Sequence, residues 1–250
     1  MTRTLVLIAG VGFGLAVFCF VLVGAIGGPA ALHGTWRHDW RIHNGSITIG
    51  HDYTPDIDGG GPVETREIAW SGASSLDVDI PADITFTQAP GPAKLVITGP
   101  KGTVDQVQAS GSDLDYHDEP TNAQRVKIVM TAPDVRSFSL SGDETLAIAG
   151  YAQDDLDLDL SGTGKITAQG KTRAVKIDVS GDGDADLGKL IADEARVDIS
   201  GSGRTTIAPT QRADVDISGS GEVDLASHPA TVHSDVSGSG RVVQGGTTFQ

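Results

Sequence analysis

The chain of 250 residues carries 33 Gly and 12 aromatics (six Phe, three Trp, three Tyr), which excludes a core built on large side chains; small and branched aliphatic residues must do the packing. Its 33 acidic against 18 basic residues, a net charge of −15, exclude a nucleic-acid partner, which needs Lys or Arg gathered on one face. The single cysteine, Cys19, excludes a disulfide framework and a Cys-based metal site.

Residues 4–28 are an apolar run without a charged residue. At 1.5 Å per residue it is long enough to cross a hydrocarbon core of about 30 Å. It also exceeds the roughly 7–15 residues of a signal-peptide apolar region. An uncleaved transmembrane anchor is therefore expected, with cleavage near Ala25-Ile26-Gly27 as the competing reading. Arg3 before the run and Arg37 and Arg41 after it nearly balance as orientation signals. A long Gly/Asp/Ser-rich repeat suits an envelope compartment, so the bulk of the chain is expected outside the cytoplasm.

Residues 29–70 read as a juxtamembrane linker. Trp36 and Trp40 beside Arg37 and Arg41 suit an interfacial belt, and Gly59-Gly60-Gly61-Pro62 gives a break. His33, His38, His43 and His51 fit no compact metal-ligand spacing and read as polar linker residues. Residues 71–136 then alternate apolar and polar in several short runs, expected as strands that cap and extend the C-terminal half of the chain at its N-terminal end.

From residue 137 to 245 a phrase recurs. Ser-Gly-x-Gly stands at Ser161-Gly162-x-Gly164, Ser180-Gly181-x-Gly183, Ser200-Gly201-x-Gly203, Ser218-Gly219-x-Gly221 and Ser237-Gly238-x-Gly240, with a degenerate copy at Ser141. Successive serines are 20, 19, 20, 18 and 19 residues apart. One residue before the serine stand Leu140, Leu160, Val179, Ile199, Ile217 and Val236; three before it stand Phe138, Leu158, Ile177, Val197 and Val215, with Ser234 breaking the column. Between them lie Asp159, Asp178, Asp198, Asp216 and Asp235. Strict alternation is a strand with one buried face. A second short strand follows each turn, as at residues 165–168 and 222–225.

A unit this short cannot bury its apolar face alone, whereas stacked units can. The expected fold is all-β: a single-stranded parallel β-helix, a solenoid of coils of about 19 residues, after an N-terminal transmembrane helix. Six coils make a rod roughly 30 Å long at the interstrand spacing of about 4.8 Å. The serines and glycines are the turn of each coil. Stacking also aligns charge: Lys165, Asp184, Arg204, Glu222 and Arg241 follow the serine by four, and Asp157, Lys176, Arg196, Asp214 and His233 precede it by four. Ion pairs across rungs are the expected role of nearly every charge in the repeats.

The aspartate column Asp159, Asp178, Asp198, Asp216 and Asp235 is the one candidate for calcium. It does not carry a known calcium pattern: Ala185 stands where a nonapeptide roll needs aspartate, and Leu187 where an EF-hand needs glycine. No metal, cofactor or catalytic residue is assigned. The motif serines have no recurring His/Asp partners, so they read as turn residues.

The order of elements resembles the family called putative auto-transporter adhesin, head GIN domain. The matching pieces are ITFTQ at 84–88, KLVITGP at 94–100, VKIVMTAPDVRSFSLSG at 126–142 and the run of D-h-SG-x-G coils, over about residues 70–245. The resemblance implies a parallel β-helical domain in the bacterial envelope. No series of roughly ten-residue membrane strands comes after the last coil, so attachment through residues 4–28 at the inner membrane is expected instead of an outer-membrane barrel.

The leading functional expectation is a non-enzymatic, membrane-anchored envelope protein whose acidic β-helix binds or scaffolds an envelope protein or polysaccharide. Alternatives are a stress-sensing or regulatory module signalling through the span, and a carbohydrate-active enzyme. Open strand edges at the ends of the rod invite pairing into a homo-oligomer, unless residues 245–249 fold back as a cap.

Overall fold

The computed structural model describes residues 39–43, 46–50, 62–245 and 247–249. The expected anchor at 4–28 and Trp36 lie outside the described residues, whereas Trp40 falls within the first described strand. Among those described, no helix is long and apolar enough to cross a membrane. Two units are distinguished, divided after Asp58. The first contains an antiparallel hairpin of β1 (Asp39–His43) and β2 (Ser46–Gly50), in register Asp39↔Gly50 to His43↔Ser46.

The second unit is all-β and stacks as a solenoid. Its N-terminal part is β3 (Val63–Ile68), β4 (Ser75–Val78), β5 (Ala82–Gln88), β6 (Lys94–Pro100), the one-turn helix α1 (Lys101–Val104), β7 (Val107–Ser110), β8 (Asp113–Tyr116) and β9 (Val126–Ala132). The repeats supply β10 (Ser137–Leu140), β11 (Thr145–Ala152), β12 (Asp155–Gly162), β13 (Lys165–Gly181), β14 (Asp184–Gly201), β15 (Arg204–Gly219), β16 (Glu222–Leu225), β17 (Thr231–Gly238), β18 (Arg241–Gln244) and β19 (Thr247–Phe249).

Three sides emerge from the pairings. The first stacks β4, β10, β12, the later halves of β13, β14 and β15, and β17, all parallel. The second stacks β5, β11, the early parts of β13 to β15, β16 and β18, also parallel. A short third side matches Tyr151 with Gly170, Gly170 with Leu190, and Ile191 with Ala208. The registers align the motif residue for residue: Asp159↔Asp178↔Asp198↔Asp216↔Asp235 and Ser161↔Ser180↔Ser200↔Ser218↔Ser237.

The interior is the set of columns that alternate with these. Leu158, Leu160, Ile177, Val179, Val197, Ile199, Val215 and Ile217 are all buried, as are Ile166, Ala185, Val223 and Val242 on the second side. Aromatics enter only near the N-terminal end, where Phe86 and Phe138 meet edge to face with ring centroids 5.0 Å apart. In the last rung the inward positions Val232, Ser234 and Val236 are only half-buried.

Residues 71–136 do more than cap. Strands β4 and β5 form a rung in register with β10 and β11, and β9 lies parallel to β5. Beyond them β6 and β3 run antiparallel, and β7 and β8 form a hairpin whose β8 pairs with β4. Strand β3 falls inside the stretch expected as linker, so the folded unit begins earlier than residue 71. The cause is its pairing along the whole of β6, from Val63↔Pro100 to Ile68↔Leu95. The Arg66 guanidinium donates to the carbonyls of Val104 (3.0 Å), Asp105 and Val107, tying β3 to the C-terminal end of α1. At the other end β19 turns back antiparallel along β18.

Candidate functional site: the aspartate and serine columns

The site begins with the turn. The first glycine of each motif takes a positive φ: 124° at Gly162, 117° at Gly181, 133° at Gly201, 126° at Gly219 and 122° at Gly238. This lets the chain leave one side and start the next while its backbone stays bonded to the rung before. The N–H of Asp182, Ser202, Ser220 and Ser239 each reaches the carbonyl of a first glycine one rung earlier, at 2.8–3.0 Å. The second glycines, Gly164, Gly183, Gly203, Gly221 and Gly240, face inward: a Cβ at Gly183 would lie 2.6 Å from Leu160 Cδ2, and one at Gly240 2.6 Å from Ile217 Cγ2.

The first copy departs from this pattern. Glu144 occupies the second-glycine position and is 3% exposed, with its carboxylate accepting the Gly142 N–H at 2.8 Å. Burial pushes this carboxyl above its ordinary value, opposed by its backbone hydrogen bonds.

With the turn fixed, alternation sends three columns outward on the first side. Serine, aspartate two residues before it and a charged residue four before it stand about 6.6 Å apart along each strand. They repeat at every rung, about 4.8 Å apart. The aspartates and serines of four rungs, from Asp178/Ser180 to Asp235/Ser237, line an open groove of about 440 Å³.

Two of its four aspartates are balanced by a cation on their own strand and a third by a cation from the neighbouring rung. Lys176 Nζ reaches Asp178 at 2.5 Å. Arg196 holds Asp198 through Nε at 3.0 Å and Nη2 at 3.2 Å, and spans the rung to Asp216 at 3.3 Å. The hydrogen bond to Asp178 raises the Lys176 ammonium above its ordinary value. The Ser161 hydroxyl donates to Asp159 at 3.3 Å. Among the described residues Asp159 and Asp235 have no ion-pair partner, and no three His, Cys, Asp or Glu side chains gather in a metal-binding group.

Ion pairing across rungs therefore accounts for only part of the charge. Lys176, Arg196 and Arg212 each bond an aspartate two residues away on the same strand, and Arg136 does so with Asp134 in the loop before β10. Register sets Lys176 against Arg196 on one side and Asp157 on the other, and Arg196 also against Asp214, yet Lys176 and Arg196 each take the carboxylate two residues along their own strand. On the second side, Lys165, Asp184, Arg204, Glu222 and Arg241 do align, and Glu222 bridges Arg204 (3.4 Å) and Arg241 (2.5 Å). What sequence reasoning missed was the pairing along the strand, although the i,i+2 spacing of Lys176/Asp178 and Arg196/Asp198 was there to be read.

An all-β solenoid with polar columns in register along one side defines the class. Within it, the family model described as putative auto-transporter adhesin, head GIN domain matches residues 74–229, and the chain belongs to that family. The crystal structure of a putative adhesin from Bacteroides fragilis NCTC 9343 is similar at 22% identity and a TM-score of 0.62, over 75% of this chain and 99% of that one. That of a putative lipid binding protein from Parabacteroides distasonis ATCC 8503 is similar at 19% identity and a TM-score of 0.50, over 75% of this chain and 98% of that one. At these identities the likeness is one of fold. No curated protein matches the chain.

Proposed function

We propose that this is a non-enzymatic binding protein of the bacterial envelope, held at the inner membrane by residues 4–28, whose groove takes an extended, hydroxyl-rich polymer such as an envelope polysaccharide. The observation that carries this reading is the repetition of an aspartate acceptor and a serine hydroxyl at each rung of the groove, from Asp178 and Ser180 to Asp235 and Ser237, in register from one strand to the next. A ligand that repeats along its own length can use several rungs at once, each contact weak and the sum effective. A small substrate would need groups converging on one point. The adhesin head family and the adhesin likeness support a binding role.

The test uses the full chain in detergent micelles against an array of envelope polysaccharides. Binding to at least one polymer is expected, with affinity rising with polymer length and falling about tenfold or more for the triple variant Ser180→Ala/Ser200→Ala/Ser218→Ala. Binding that ignores both polymer length and this variant would overturn the reading. The anchor is tested by a reporter fused after Gln250: activity confined to the cytoplasm would reverse the expected orientation.

A further inference from the structure

The C-terminal end of the solenoid is finished on one side only. On the second side β19 covers the edge of β18. On the first, β17 pairs with β15 and, among the described residues, has no strand on its other edge. The rung is also incompletely covered from below. Val232 and Val236 are half-buried, whereas Ala213 and Ile217, their register partners in β15, are 0% and 2% exposed. The eight residues TVHSDVSG contain no Lys, Pro or bulge, the usual devices that keep an edge from pairing.

The outward residues are Thr231, His233, Asp235 and Ser237; the inward ones are Val232, Ser234 and Val236. A second copy that adds its own β17 antiparallel must keep inward residues opposite inward ones. That leaves three central registers, with the dyad at His233, Ser234 or Asp235. Centring on Asp235 sets two carboxylates face to face. Centring on His233 opposes two imidazoles and puts Val232 opposite Ser234. Centring on Ser234 puts His233 opposite Asp235 and Val232 opposite Val236, each twice, with the two Ser234 hydroxyls together on the axis.

We infer that β17 is the interface of a two-fold homodimer, in which two copies pair antiparallel about Ser234. Head-to-tail stacking is disfavoured by the other end of the solenoid. There the edge of β4 is already taken by β8, and β8 by β7, so the next copy's first rung is not open to continue the parallel side. A two-fold interface closes on itself, while a head-to-tail one would grow into an open filament.

The test is disulfide trapping of the full chain in native membranes, with the one native cysteine removed by Cys19→Ser. Directly opposed Cβ atoms in an antiparallel pair lie about 4.5–5.5 Å apart, within a small adjustment of disulfide geometry. Ser234→Cys is expected to give a covalent dimer under mild oxidation. Because Ser234 is partly inward, the exposed positions give a second readout: His233→Cys and Asp235→Cys should each cross-link poorly alone and readily when co-expressed. In the Ser234→Cys chain, His233→Asp should lower trapping about tenfold by opposing carboxylates, and the swap His233→Asp/Asp235→His should restore it. A Ser234→Cys chain that stays monomeric, a His233→Cys chain that dimerises as readily as the mixed pair, or a cross-link to a different protein would each overturn the inference.

Discussion

Gly201→Ala is the sharpest probe of the solenoid, because Gly91→Ala supplies its own control. Both glycines hold a positive φ, 133° at Gly201 and 119° at Gly91. An alanine at either place meets the backbone penalty of about 1–2 kcal/mol. It is partly offset by about 0.4–1 kcal/mol from a less flexible unfolded chain. At Gly91 nothing lies within 4 Å of the new Cβ. At Gly201 the Cβ would sit 2.4 Å from the Gly181 carbonyl oxygen, the atom that accepts the Ser202 N–H at 2.9 Å. The rung must separate there, giving up at least one backbone hydrogen bond, about 0.5–1.5 kcal/mol, and overpacking the turn at about 1–3 kcal/mol. The expected cost is roughly 3–5 kcal/mol for Gly201→Ala and about 1 kcal/mol for Gly91→Ala. For a unit of this size that is a drop in Tm of roughly 6–20 °C against less than about 5 °C. Circular dichroism melts of the full chain in detergent measure both, and hydrogen exchange should place the lost protection in residues 181–203. Equal melting shifts would show that close stacking of the turns is not what requires the glycine.

Thr205 is inward and 0% exposed in a column shared with Ile166, Ala185, Val223 and Val242, and its hydroxyl has no hydrogen-bond partner. Thr205→Val should stabilise by about 1 kcal/mol, read as a higher Tm, and a lower Tm would mean the hydroxyl is satisfied. Glu144 has its carboxyl raised by burial, so the folded state holds the proton more tightly than the unfolded one and stability is lost as pH rises through the folded value. Glu144→Gln should accordingly gain on the parent as pH goes from acid to neutral; a gap independent of pH would refute this. Arg196→Ala removes two contacts from an exposed side chain and should cost less than about 1 kcal/mol at moderate salt, with the cost growing as salt is lowered. A large, salt-independent loss would instead mark Arg196 as a packing residue.

The columns of the site were legible in the sequence because two periods coincide there. Alternation sets which residues face out, and the recurrence of Ser-Gly-x-Gly every 18–20 residues sets which rungs align. Asp178, Asp198 and Asp216 could therefore be placed side by side from the sequence. Register does not say which way a long cation bends, so Arg196 was expected to reach across rungs, while its nearer partner is Asp198 on its own strand. Nor did the motif disclose Glu144, since a degenerate copy reads as a lost glycine until the carboxylate is seen bonded to the turn it replaces. Residues 71–136 were legible only as strands, and β3 (Val63–Ile68) was read as linker. The antiparallel pairing of β3 with β6 and the Arg66 clamp join segments 27 or more positions apart, with no repeat to announce them.

The constant register of the stack has a consequence for how such a protein can change. Chemistry and reach are written in separate places: substituting along one column alters what each rung offers, and duplicating a block of about 19 residues alters how many rungs there are. A duplicated copy would meet neighbours like its own on both sides, so it would lengthen the groove by about 4.8 Å without disturbing the contacts already made. Within this architecture, the span of ligand a protein can hold is a whole number.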